Sequence, residues 1–137
     1  MTQKRIALVV EDDPTLQEQV VSHLASRFDV RAAANYDAAV KALESCQPHV
    51  VCVDLGLPSE SGYELCEHIR KQRKLLSVPI LVMSERYFPE DMAHAEEAGA
   101  NAFLKKPFKM KQLSKYVDAL LDGKNASRPS VRRLRIT

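Results

Sequence analysis

Five short apolar runs, each followed by a stretch with helical spacing, limit what this chain can fold into more than any other feature. The first run, Ile6-Ala7-Leu8-Val9-Val10, is unbroken. A strand with one wet face would alternate, so a continuous run reads as a strand covered on both sides. Asp13-Pro14 then opens a helix, with Asp as N-cap and Pro at the first helical position. Leu16, Val20 and Leu24 follow at i, i+4 and i+8 and make one apolar stripe. The pattern repeats with a weaker strand over 28–34 and a helix capped by Asn35 that carries Ala39, Ala42 and Leu43. A third strand over 49–53 follows Pro48, then a Gly-, Pro- and Ser-rich loop over 55–62, then a helix with Leu65, Cys66 and Ile69 inward. The fourth strand is expected over 78–83 and a polar helix over 90–98, stopped by Gly99. The fifth strand is expected over 101–105, and a last helix over 109–122 shows Leu113, Val117 and Leu120 on one face.

Five such β/α pairs imply a parallel sheet between two layers of helices. A flavodoxin-like, doubly wound α/β fold, with five strands in the order 2-1-3-4-5 and five helices, fits the 137 residues. Residues 1–122 form the expected globular domain. Residues 123–137 hold five basic residues (Lys124, Arg128, Arg132, Arg133, Arg135) and no acid, and read as a flexible tail or linker. The overall charge of +2 therefore hides a globule with 15 basic and 18 acidic residues, which has no electrostatic reason to bind nucleic acid by itself. No stretch approaches the roughly 20 apolar residues of a membrane span. The chain begins without a signal-peptide pattern, so a cytoplasmic location is expected. Three cysteines (Cys46, Cys52, Cys66) include no CxxC pair, and Cys52 lies inside an apolar run, so neither a structural disulfide nor a zinc site is expected.

In an open α/β sheet, ligands bind at the carboxyl ends of the strands, beside the point where strand order reverses. The strands flanking that point end in Glu11-Asp12-Asp13 and in Asp54, while the fourth delivers Ser84 and the fifth Lys105-Lys106-Pro107. Two unit charges about 4 Å apart repel by roughly 4 kcal/mol at an effective dielectric near 20. A cluster of carboxylates therefore calls for a cation, and a hard divalent ion with oxygen ligands, Mg²⁺ in particular, suits this donor set. Lys106 neutralises only part of the charge. Direct phosphate cradling is excluded, because the loop after the first strand is acidic and neither GxxxxGK[ST] nor GxGxxG occurs. An acidic pocket with metal, hydroxyl and lysine suits a phosphoryl group that arrives with Mg²⁺ as bridge.

These residues also carry a specific resemblance. Glu11-Asp12-Asp13-Pro14, Asp54-Leu55-Gly56-Leu57-Pro58 with Gly62, Met83-Ser84, and Phe103-Leu104-Lys105-Lys106-Pro107-Phe108 resemble the response-regulator receiver domains of two-component signalling. The spacing is 42 residues from Asp12 to Asp54, 30 more to Ser84 and 22 more to Lys106, and the likeness covers residues 5–122. The resemblance implies Asp54 as phosphoacceptor, taking its group from a phosphohistidine on a histidine kinase or histidine phosphotransferase. It implies Mg²⁺ on Asp12, Asp54 and the Gly56 backbone carbonyl, with Glu11 helping through water. Lys106 and Ser84 would bind phosphoryl oxygens, the Lys106–Pro107 bond would be cis, and Phe103 matches an aromatic position that moves inward on activation. Output would pass to a downstream protein or an appended domain, and nucleic acid would be met only through such a domain. A homodimer through the last two helices and the fifth strand is a further expectation of the family.

Other readings of the same residues are blander. Asp13 reads as an N-cap, Lys105 as a solvated side chain, and Phe103 fits plain core packing. His23, His49, His68 and His94 show no ligand pairing. Glu85 follows Ser84 where the family usually carries a small residue, and a bulky acid there narrows access and repels an incoming phosphoryl donor. Glu85 thus favours an alternative in which the fold is a pseudo-receiver, a protein-interaction module independent of phosphorylation. An independent enzyme such as a related phosphatase would want a second acid two residues after Asp54, where Gly56 stands. The domain is therefore expected to catalyse only its own phosphorylation and dephosphorylation.

Overall fold

A computed structural model describes residues 4–123. The basic tail read from the sequence lies, apart from Gly123, outside the described residues.

Five strands and five helices alternate: β1 (Arg5–Val10), α1 (Pro14–Leu24), β2 (Phe28–Ala33), α2 (Tyr36–Ser45), β3 (Val50–Asp54), α3 (Ser61–Arg70), β4 (Ile80–Ser84), α4 (Pro89–Ala98), β5 (Ala102–Lys105) and α5 (Met110–Asp122). The sheet is wholly parallel, in the order β2-β1-β3-β4-β5, as the sequence predicts. Strand residues alternate between two cores. Leu8, Val10, Val51, Val53, Ile80 and Val82 face α2, α3 and α4, where they meet Leu43, Leu65 and Ile69. Ala7, Val9, Cys52, Leu81, Met83 and Leu104 face Val20, Leu24, Leu113 and Val117 of α1 and α5. With apolar residues claimed on both faces, the unbroken apolar strands follow directly. No helix among the described residues is long and apolar enough to cross a membrane.

The starts of the elements follow local chemistry. Asp13 accepts a hydrogen bond from the Thr15 N–H and Asn35 one from Ala38, each satisfying a donor that the first helical turn leaves open. The fourth strand begins at Ile80, two residues later than its apolar run suggests. The Val78 N–H turns back to the Leu75 carbonyl, and Pro79 has no N–H to give a ladder. β3 in turn extends one residue further, through Asp54, which pairs in register with Met83.

α3 and α4 are tied together at the end of the sheet away from the acids. The half-buried Arg70 guanidinium donates to the carbonyls of Gly99 (3.0 Å) and Leu75 (3.0 Å) and to Asn101 Oδ1 (2.8 Å). Gly99 ends α4 with φ 115°, a left-handed conformation that a side chain would strain, and a Cβ there would lie 2.5 Å from the Arg70 side chain.

At the opposite end, β1 hands the chain to α1 on one face while the adjacent β3 hands it to α3 on the other. The crevice between them opens above the carboxyl ends of the strands. Gly62 sets how closely α3 approaches this edge, because a Cβ on it would stand 2.6 Å from the Asp54 carbonyl oxygen and 2.7 Å from Leu55 Cα. Both neighbours are backbone and cannot step aside cheaply. Gly62→Ala is therefore expected to destabilise the domain by about 1–3 kcal/mol, the usual cost of overpacking, read as a lower urea midpoint with unchanged m-value.

Candidate functional site

Glu11, Asp12 and Asp54 meet in the crevice, and one carboxylate oxygen from each lies within 4.8 Å of the others. Lys106 crosses from the end of β5, its Nζ 3.0 Å from Glu11 Oε1 and 3.1 Å from Asp54 Oδ1. Its position is set by backbone: the Lys106 N–H donates to the Ser84 carbonyl at 2.8 Å, and the Lys106–Pro107 bond is cis as expected. Asp54 is buried at the end of the central strand, and the Gly56 N–H donates to its Oδ1 at 2.8 Å. The amide and the ammonium thus converge on the same carboxylate oxygen, Oδ1.

Glu11 is fully enclosed, at 1% exposure. Its Oε2 accepts from the Asp13 N–H at 3.1 Å. Its Oε1 is enclosed and faces the Lys106 ammonium at 3.0 Å. Three carboxylates around one lysine leave two formal negative charges uncompensated. Hard oxygen donors and uncompensated charge both fit a divalent cation such as Mg²⁺.

The same geometry splits the titration of the acids. Burial pushes Glu11 up to about 7, an effect that the Asp13 N–H and Lys106 only partly offset. Burial, then Asp54, raise Asp12. Burial would raise Asp54 too, but the Gly56 N–H, hydrogen bonds from Glu11 and Asp12 in their protonated forms, and Lys106 prevail and hold it below the ordinary carboxylate range. Burial opposes the charge on Lys106, yet contact with Glu11 and Asp54 raises it. Of the three acids, Asp54 alone is shifted toward its ionised form.

Ser84 is buried at the end of β4, and its Oγ accepts from the Arg86 N–H at 3.0 Å. Phe103 lies inside the core at 4% exposure, its ring 6.1 Å from that of Tyr87. Asp13 caps α1, as expected. The sequence reading missed a second group of residues lining the same cavity of about 1060 Å³. Arg86 pairs with Asp91 (3.2 Å), which also accepts from the Phe88 N–H. Tyr63 on α3 stacks on His94 of α4 with ring centroids 3.7 Å apart, bridging the two helices above the crevice. No motif announces these contacts; the only signal is polar and aromatic residues at the site ends of α3 and α4.

Fold and site together define a parallel α/β domain with an acidic, lysine-bridged crevice at the carboxyl edge of its sheet, and comparison gives its family. The family model for the response regulator receiver domain matches residues 7–118, and the chain belongs to that family, whose members serve two-component systems. The sensory transduction protein BceR of Halalkalibacterium halodurans is 31% identical over 115 residues, 83% of this chain and 48% of BceR. The chain spans about half the length of the curated relatives it matches. Among solved structures, chemotaxis response regulator CheY4 of Vibrio cholerae superposes with TM-score 0.82 at 25% identity, covering 87% of this chain and all of CheY4. The BeF3-activated receiver domain of DrrB, from Thermotoga maritima, gives 0.78 at 26% identity, over 88% of this chain and all of that domain.

The raised Glu11 carboxyl fixes a pH dependence. An acid whose folded pKa lies above its unfolded value keeps its proton longer when folded, so stability is greatest below the unfolded value and falls as pH climbs through the window between them. In EDTA, the urea midpoint is expected to decline between about pH 5 and 7, and Glu11→Gln should flatten that decline. The opposite contribution of Asp54 lies below the ordinary carboxylate range, outside the window.

Proposed function

We propose that this domain is a phosphorylatable switch that accepts a phosphoryl group on Asp54 in a Mg²⁺-dependent reaction. The observation that carries the reading is the lysine bridge: one ammonium within about 3 Å of two buried carboxylates, one of which is held ionised as a nucleophile must be. Asp12, Asp54 and the Gly56 carbonyl would hold Mg²⁺, with Glu11 acting through water; the ion supplies charge neutralisation at the phosphoryl oxygens.

In the transfer, an Asp54 carboxylate oxygen attacks phosphorus, a P–O bond forms, and the P–N bond of a donor phosphohistidine breaks to release the imidazole. Lys106 needs little rearrangement to pair with a phosphoryl oxygen, since alignment and fixed charge are most of what phosphoryl transfer requires. Ser84 then donates its hydroxyl to another oxygen. Turning Oγ that way removes the acceptor of the Arg86 N–H, which loosens the loop leading to α4. A local charge change thereby biases the face built by α4, β5 and α5.

The donor is a histidine kinase or histidine phosphotransferase, and the output is a downstream protein or an appended domain. Catalysis is confined to the domain's own phosphorylation and dephosphorylation, and its compartment is the cytoplasm. Asp54 in contact with Lys106, with Ser84 lining the same cavity, favours this reading over a phosphorylation-independent interaction module.

Incubation with acetyl phosphate and Mg²⁺ is expected to add one phosphoryl group to the intact mass, lost in EDTA and in Asp54→Asn. Beryllofluoride with Mg²⁺ should shift amide resonances in the 84–88 loop and α4. Silence in both measurements, with the wild-type domain folded, overturns the proposal.

A further inference from the structure

The cavity around Asp54 carries far more negative charge than its chemistry uses. Its walls include six acids (Glu11, Asp12, Asp13, Asp54, Glu85, Asp91) and two cations, Arg86 and Lys106. That is a formal charge of −4, halved by one divalent ion. Five of the acids are spoken for. Glu11 and Asp54 face Lys106, and Asp12 stands in the same cluster. Asp13 caps α1, and Asp91 holds Arg86 and the Phe88 N–H.

Glu85 is different. It is exposed and lines the cavity between buried Ser84 and Arg86, and among the described residues it has neither a counter-ion nor an N–H donor. Arg86, the nearest cation in sequence, is neutralised by Asp91 instead. An unpaired carboxylate beside an entry that is already negative acts on whatever charge approaches.

We infer that Glu85 is a specificity-determining residue that discriminates among phosphoryl donors by their charge, disfavouring free dianions. The inference rests on the phosphoacceptor reading of Asp54. A dianionic acyl phosphate must bring its full charge past Glu85. A donor whose phosphorus is carried on a protonated nitrogen arrives with part of that charge cancelled, and a protein donor brings its own basic surroundings. The bulk of Glu85 is secondary; its charge does the sorting.

Two small donors separate these cases. With acetyl phosphate, Asp54 forms a P–O bond, the acyl C–O–P linkage breaks at phosphorus, and acetate leaves with the electron pair. With zwitterionic phosphoramidate, the P–N bond breaks and ammonia leaves carrying the protons already on nitrogen. Both yield the same acylphosphate.

Initial rates are measured for the wild-type domain, Glu85→Gln and Glu85→Ala with each donor, at saturating Mg²⁺ and at low and high KCl. At low salt, Glu85→Gln is expected to speed acetyl phosphate on the order of five-fold and phosphoramidate, with half the net charge, about two-fold. The gain should shrink at high salt, where the Debye length falls below about 8 Å. Glu85→Ala should match Glu85→Gln. Acceleration by Glu85→Ala but not by the isosteric Glu85→Gln would mean that bulk, not charge, is responsible, and overturns the inference. So does equal acceleration of both donors, or none. Failure of every variant to be labelled by either donor overturns the phosphoacceptor reading itself, and the inference with it.

Discussion

Lys106 holding Glu11 and Asp54 together is the contact on which the rest of the site depends. The carboxylates come from β1 and β3, neighbours at the point where the sheet reverses direction, and parallel pairing drives them to the same edge whether or not their charges agree. An ammonium about 3 Å from both offsets part of the repulsion. The offset is incomplete, and the shortfall is borne unequally: burial pushes Glu11 toward its neutral form, while Asp54, fixed by the Gly56 amide, stays charged. The division of labour among the acids follows from burial and hydrogen bonding alone.

Much of this was legible in the chain because it is local or periodic. Unbroken apolar strands require helices on both faces, and the position of each acid or lysine just after such a strand fixes the edge at which it emerges. Asp54, Asp12, Glu11, Ser84 and Lys106 could be placed that way. The start of β4 could not, since Val78 and Pro79 look like strand residues until the turn at Leu75 is seen to take the Val78 N–H. The Tyr63–His94 stack and the Arg70 tie to Gly99 and Asn101 depend on how α3 and α4 lie against each other, a packing relation that no periodicity encodes. Phe103 is ambiguous by nature, because an aromatic that moves and one that only packs have the same sequence signature.

Membership of the receiver family joins these observations without adding residues to them. The residues that carry the sequence resemblance are those that physical reasoning selects independently, namely the carboxylates, the lysine and the hydroxyl. Glu85, which departs from the small residue expected there, is exposed and lines the same cavity, where chemistry common to a fold can be tuned for one chain.

α4 shows what such a molecule must give up to respond at all. Its fully buried residues are only Ala95 and Ala98, both toward the end tied to Arg70, with Met92 packed part-buried against the core, Asp91 paired with Arg86 and His94 stacked on Tyr63. Alanine methyls and one pliable methionine make a shallow contact, and at about 25 cal/mol per Å² little burial energy is at stake when such a helix shifts. α4 is therefore the one helix of the sandwich whose fully buried side chains are all alanine, the seat that gives way most cheaply to a push and that larger side chains would hold more firmly.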